Sequence, residues 1–229
     1  MKTVTAVLNG DVKGSQAMPF ELRQALMDKI RSIAQGSIGF VPQTTVPIAT
    51  NGWHLPAQAQ GDPVFRGDAF QIECYLADAL KFMLCMRLLG ISYPLTSTPP
   101  SQERRPLVIR MSMGVGEAPF TTGGYAAKYV LSGQGLDKKA PVAMQIHSQG
   151  PAAAELALMA VLLDTILEKL SPRQGLNLLL VLELGSLSAA AKAQQVSVST
   201  ISRSIAKPYF AIKQALERYA HLCHQGQIT

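Results

Sequence analysis

Two aspartates follow a glycine at the end of a strand-like run, and their chemistry is the first thing the chain offers. Asp11 stands in Asn9-Gly10-Asp11, after the apolar run Val4 to Leu8. Asp68 stands in Arg66-Gly67-Asp68-Ala69-Phe70, between two short β-like runs. Carboxylates brought to neighbouring strand ends supply hard oxygen ligands, which suit Mg²⁺ bridging to a phosphate. Backbone N–H groups of Val12, Lys13, Gly14 and Ser15, at a turn into a helix, are placed to cradle that phosphate, with Lys13 adding a point charge. Without a metal, both aspartates serve as turn residues that accept from backbone amides.

A second constellation lies at the other end. Residues 171–229 hold six Lys/Arg against Glu183 and Glu217, a local charge of +4 out of the chain's +6. Within it, Ser188 to Ile205 alternates small, polar and branched residues in a helix-turn-helix pattern. Ala191 takes the small position where two helices cross, and Val196 and Ile201 are expected to point between them. Ser197 opens the second helix, which presents Ser199, Thr200, Arg203 and Lys207 on one face. Short hydroxyls there permit close approach to a groove, while Arg203 and Lys207 reach base edges or phosphates. A basic face of this kind implies DNA as partner.

The elements that position these residues follow from periodicity. Val4 to Leu8 reads as a strand buried on both faces, followed by a turn over Gly10 to Ser15. Leu22, Leu26, Ile30 and Ile33 give Pro19 to Ile33 helical spacing. Pro63 to Arg66 and Ala69 to Cys74 read as a hairpin across Gly67-Asp68. A helix over Leu76 to Leu89 is expected to stop at Gly90 and Pro94. Leu107 to Val115 alternates as a strand, Ala126 to Leu131 reads as a short helix, and Val142 to His147 as a last strand. A further strand is possible over Val46 to Thr50. The order β-α-β-β-α-β is the split βαβ, ferredoxin-like plan.

Ala152 to Leu170 reads as an apolar helix whose wet side carries Glu155, Asp164, Glu168 and Lys169. Ser171, Pro172 and Gln174 then form a capping box with proline at the first helical position. The domains implied are 1–150, a connecting helix at 151–170, and a helical unit at 171–229. Asp78, Lys81, Arg87, Asp164 and Glu168 interrupt the longest apolar runs, so no membrane span is expected. Cys74, Cys85 and Cys223 are odd in number and lack CxxC spacing, which fits a reducing cytoplasm.

Three segments together resemble class III nucleotidyl cyclases and their GGDEF relatives: Asn9 to Ser15, Arg66 to Phe70, and Ile109 to Glu117. In layout the chain resembles the SatD-like family of bacterial proteins, with a segment like Leu131 to Asp137 and a C-terminal helix-turn-helix. The resemblance implies an α+β chain, a ferredoxin-like cyclase-type palm followed by an all-α helix-turn-helix domain. It implies that Asp11 and Asp68 bind divalent metal, Mg²⁺ by chemistry, against a nucleotide. Some positions depart from the cyclase pattern. Val64 stands where adenine-selecting cyclases have lysine, and Ala69 where GGDEF enzymes have a second acid. Only Lys128 is found where an Asn/Arg transition-state clamp belongs. Gln194 and Gln195 replace the usual apolar residue and glycine of the helix-turn-helix. The expectation is a DNA-binding regulator, a homodimer through helix 152–170, whose N-terminal domain senses a nucleotide or other phosphate ligand with Mg²⁺. The alternative is a nucleotidyl cyclase or nucleotidyltransferase that uses Asp11 and Asp68 as metal ligands.

Overall fold

The structure, a computed structural model, describes residues 4–34, 64–66, 69–96, 106–117 and 142–228. These form a mixed α+β chain. Strand β1 (Val4–Val12) leads through a 3₁₀ turn (Ser15–Ala17) into α1 (Phe20–Ala34). The hairpin β2 (Val64–Arg66) and β3 (Ala69–Tyr75) feeds α2 (Leu76–Thr96), and β4 (Ile109–Glu117) and β5 (Met144–His147) follow. The chain ends in α3 (Ala153–Leu167), α4 (Pro172–Leu184), α5 (Leu187–Ala193) and α6 (Val198–His224). The expected strand at Val46–Thr50 and helix at Ala126–Leu131 lie outside the described residues, as do Gly67 and Asp68.

The sheet order is β2-β3-β1-β4-β5. β1 is central and antiparallel to both neighbours, while β4 and β5 are parallel. Ala6, Leu8 and Val12 on β1 share one face with Phe70, Ile72 and Cys74, with Ile109, Met111, Met113 and Val115, and with Met144 and Ile146. This face carries the hydrophobic core, which continues without a break into Leu178, Ile201, Ile205 and Tyr219 of the C-terminal helices.

Strand β1 runs four residues past its expected end. Gly10, expected in a turn, is inside the strand opposite Phe70, and a Cβ there would meet the Phe70 ring at 2.1 Å. The glycine makes room for an aromatic cross-strand partner. The turn comes at Gly14, with φ 78°.

Helix α2 also passes its expected stop. A Cβ on Gly90 would lie 2.6 Å from the Leu107 carbonyl oxygen, so this glycine marks a close approach and not a helix end. Pro94 has no N–H for the Gly90 carbonyl four residues back. The Leu107 N–H donates to that carbonyl instead, at 2.9 Å. The segment leading into β4 thus supplies the bond that proline withholds.

Asp164, expected on a wet helix side, is 1% exposed and faces Arg87, itself 2% exposed. Arg87 Nε donates to Asp164 Oδ1 at 2.9 Å, and the Ala143 N–H donates to Oδ2 at 2.6 Å. Arg87 Nη1 also donates to the Ile109 carbonyl at 3.4 Å. One ion pair therefore joins α2, α3, β4 and the entry to β5. Removing one member of a buried pair leaves an uncompensated charge. Asp164→Ala is expected to lower stability by about 3–5 kcal/mol in urea unfolding, and Arg87→Met with Asp164→Leu to restore much of it. Equal losses in the single and double variants would show that the pair does not carry this weight.

Candidate functional site

The helical unit starts at Ser171, whose hydroxyl accepts from the Gln174 N–H while Gln174 returns to the Ser171 N–H, the capping box read from the sequence. Pro172 opens α4. Gly185, with φ 74°, ends α4, and α5 leaves at a bend of 118°. Ser186 caps α5 through the Ala189 N–H.

The turn between α5 and α6 explains both unusual glutamines. The Gln195 N–H donates to the Lys192 carbonyl at 3.1 Å, and the Val196 N–H to the Ala191 carbonyl at 3.0 Å. This pair of bonds is the Schellman closure, which requires a left-handed residue at its centre. Gln195 supplies it, with φ 55°, as the one non-glycine residue of positive φ among the described residues. The position that favours glycine in the pattern thus keeps the glycine conformation. Gln194 is polar because its surroundings are polar. Its Nε2 donates to Asn177 Oδ1 at 2.6 Å, and its Oε1 accepts from Arg173 at 3.0 Å. Asn177, buried in α4, in turn donates to Ser204 of α6 at 2.6 Å.

Ala191 is buried at the crossing and Ile201 lies between the helices, as expected. Val196 does not point inward: it follows the left-handed residue and is 42% exposed. Ser197 caps α6 by accepting from the Thr200 N–H at 3.1 Å. Its hydroxyl also contacts Ser199 and Thr200, so its first role is structural. Ser199, Thr200, Arg203 and Lys207 are all exposed, on the side of α6 opposite Ile201 and Ile205. Arg203 Nε donates to the Ser199 carbonyl at 3.2 Å, leaving the rest of its guanidinium outward.

Helix α6 contains Pro208, which leaves the Ser204 carbonyl without its intrahelical donor. Gln174 Nε2 donates to that carbonyl at 2.9 Å. Farther along, Tyr219 is buried and its hydroxyl donates to the Leu76 carbonyl at 2.7 Å. The helix that exposes Arg203 therefore ends against the sheet.

At the other candidate site, Asp11 and Arg110 are direct partners across β1 and β4. Arg110 Nε donates to Asp11 Oδ1 at 2.7 Å, and Nη2 to Oδ2, so the guanidinium engages both carboxylate oxygens. Arg110 alternates correctly in the sequence, but only the register shows that it faces Asp11. Asp68 lies outside the described residues, although Ala69, next in the chain, is the β3 partner of Asp11. Among the described residues no group of three or more His, Cys, Asp or Glu side chains gathers at metal distance. The Arg110 guanidinium already engages both oxygens of Asp11.

Of the four residues expected to cradle phosphate, Val12 is a buried strand residue and the Lys13 N–H already donates to Val108 at 2.9 Å. Ser15 is buried, while the Lys13 side chain and Gly14 are exposed. The same face of the sheet continues through Asn9, Ser112, Gln145 and His147. Among the described residues, Ser112 Oγ and His147 Nε2 are buried there without a hydrogen-bond partner. Burial pushes the His147 imidazole below its usual range, because the charged form loses hydration there.

No protein-family model matches the chain, and no curated protein matches it. The polar network across α4, α5 and α6 is open to direct test. Gln194→Leu leaves buried Asn177 without its donor and is expected to cost about 1–3 kcal/mol in thermal or urea unfolding. A neutral outcome would mean that Asn177 is satisfied by other means.

Proposed function

We propose that this chain is a DNA-binding transcriptional regulator of SatD-like layout, with a cyclase-type palm followed by a helix-turn-helix. The observation that carries the reading is the α5-turn-α6 geometry. A Schellman-closed turn through Gln195 aims a capped helix whose exposed face holds Ser199, Thr200, Arg203 and Lys207. The element order β1-α1-β2-β3-α2-β4 and the strand order β2-β3-β1-β4 support the ferredoxin-like plan for the N-terminal part.

In this reading the N-terminal part senses a nucleotide or other phosphate ligand near the Gly14 turn. Lys13 meets the anion, and Mg²⁺ joins through Asp11 and Asp68 once Arg110 yields its partner. The chain acts as a homodimer, so that two α6 helices meet a two-fold operator. Helix α3 supports this, because Leu158, Val161 and Leu162 form an exposed apolar stripe opposite its buried Leu156, Ala160, Leu163 and Leu167. Among the described residues no single helix is long and apolar enough to cross a membrane.

Electrophoretic shift or fluorescence anisotropy with the protein's own promoter region tests the reading. Binding is expected to weaken steeply with salt. Arg203→Ala should lose roughly 5- to 100-fold in affinity, and Lys207→Ala should reduce the log–log salt slope by about one. Salt-insensitive binding, or none, overturns the DNA-binding reading. In analytical ultracentrifugation, Leu158→Glu with Leu162→Glu is expected to convert a dimer to a monomer without loss of helical signal. A wild-type chain that sediments as a monomer removes the two-fold model.

A further inference from the structure

Glu183 is buried near the end of α4, at 6% exposure, and neither carboxyl oxygen has a hydrogen-bond partner among the described residues. Helix α4 lies antiparallel along α2. At one end a Cβ on Gly175 would come within 2.6 Å of Ile91, and at the other end Glu183 lies within electrostatic range of Lys81 and Cys85. This is the surface on which the helical unit rests against the sheet unit. An ionised carboxylate left there without donors costs several kcal/mol, whereas a neutral acid costs far less. The molecule gains nothing for packing from Glu183 that a leucine at the same site would not give.

We propose that Glu183 makes the docking of the helical unit on α2 proton-dependent: the neutral acid lets α4 lie against α2, and the carboxylate loosens that contact. Burial pushes the carboxyl up to about 8, opposed only by Lys81. From α2, the facing ionisable groups are the Lys81 ammonium and the Cys85 thiol, with Asp78 acting on Lys81. Burial also lowers Lys81 and, most strongly, raises Cys85. Among the described residues, no ionisable group of α5 or α6 acts on Glu183.

The direction follows from proton linkage. The folded acid holds its proton more tightly than the unfolded one. Its contribution is therefore full below the ordinary carboxyl value of 4.5, declines as pH rises, and is lost once pH passes about 8. Stability is thus expected to fall with pH in this range, opposite to the usual behaviour of a salt-bridged carboxylate.

The full chain is tested by ¹³C-carboxyl NMR and by thermal unfolding between pH 6 and 9.5. Glu183 is expected to titrate near pH 8. Amide signals of α4 to α6 should shift with the same midpoint, while those of β1 stay still. Wild type should lose about 3–6 °C in Tm between pH 7 and pH 9 beyond any loss in Glu183→Gln, which imitates the neutral acid. Lys81→Met, which removes the nearby positive charge, should move the midpoint upward. A Glu183 midpoint below pH 6, or identical pH profiles in wild type and Glu183→Gln, overturns the proposal. None of these readouts uses DNA. A chain that titrates as described but binds no promoter DNA sinks the regulator reading and leaves this one standing.

Discussion

The buried Arg87–Asp164 pair fixes the arrangement on which the rest of the molecule depends. Its two charges are out of water, so their separation is not adjustable: any slide of α3 against α2 leaves a carboxylate or a guanidinium unpaired in the core. The spare oxygen of Asp164 holds the Ala143 N–H, and a spare nitrogen of Arg87 reaches Ile109 at the start of β4. Hence β5 enters beside β4 at a set register, and α3 leaves β5 at a set height. From α3 the constraint passes to α6 through the bidentate Glu155–Arg218 pair and the Ala152–Gln227 backbone bond. The Glu155 and Arg218 side chains are each nearly half exposed, so that pair contributes little energy by itself. It aligns helices whose position is already determined by the buried one.

A second regularity concerns the prolines inside helices. Pro94 in α2 and Pro208 in α6 each orphan a carbonyl, a cost that normally ends or kinks a helix. In both places a donor from a different part of the chain takes the carbonyl: the Leu107 N–H for Gly90, and Gln174 Nε2 for Ser204. These bonds have no intrahelical competitor. They are therefore available only for tertiary contact, one tying α2 to the sheet and the other tying α6 to α4. Gln174 is used twice, since its Oε1 completes the capping box at Ser171.

This contrast explains which parts were legible in the sequence. The Ser171 capping box, the Ser197 cap, the small Ala191 and the buried Ile201 are decided within a few residues of chain, and sequence spacing carries that information. The βαββαβ order was readable for the same reason, since hydrophobic period is local. Gly10, Gly90 and Pro94 were misread as breakers because the reasons they are tolerated lie at Phe70 and Leu107, distant in sequence. Asp164 was assigned to water for want of sight of Arg87, 77 residues away. Val196 failed differently: its neighbour Gln195 turns left-handed, and that conformation swings the next side chain outward. At the β1 end the sequence put Asp11 in a turn beyond the strand, whereas it lies inside β1, and its partner Arg110 emerges only from the β1–β4 register. The Gly67-Asp68 turn lies beyond the described residues.

These constraints make α6 a single lever. Its 27 residues span about 40 Å at 1.5 Å per residue. One end exposes Ser199, Thr200 and Arg203, while Tyr219 near the other end is buried and bonded to Leu76, the first residue of α2. Asn177, Gln194 and Ser204 lock the exposed end to α4 and α5, so α6 cannot pivot without moving α4. Along α4, Gly175 packs closely on Ile91 of α2, and Glu183 is buried near Lys81 at the other end. A change in the sheet unit therefore has two routes to the exposed face of α6, through Tyr219 or through α4. The second contains the only interior acid left without partners among the described residues. Tyr219 is held by a backbone carbonyl. The adjustable element in this architecture is the α2–α4 contact, and the direction of any recognition helix carried by α6 follows from it.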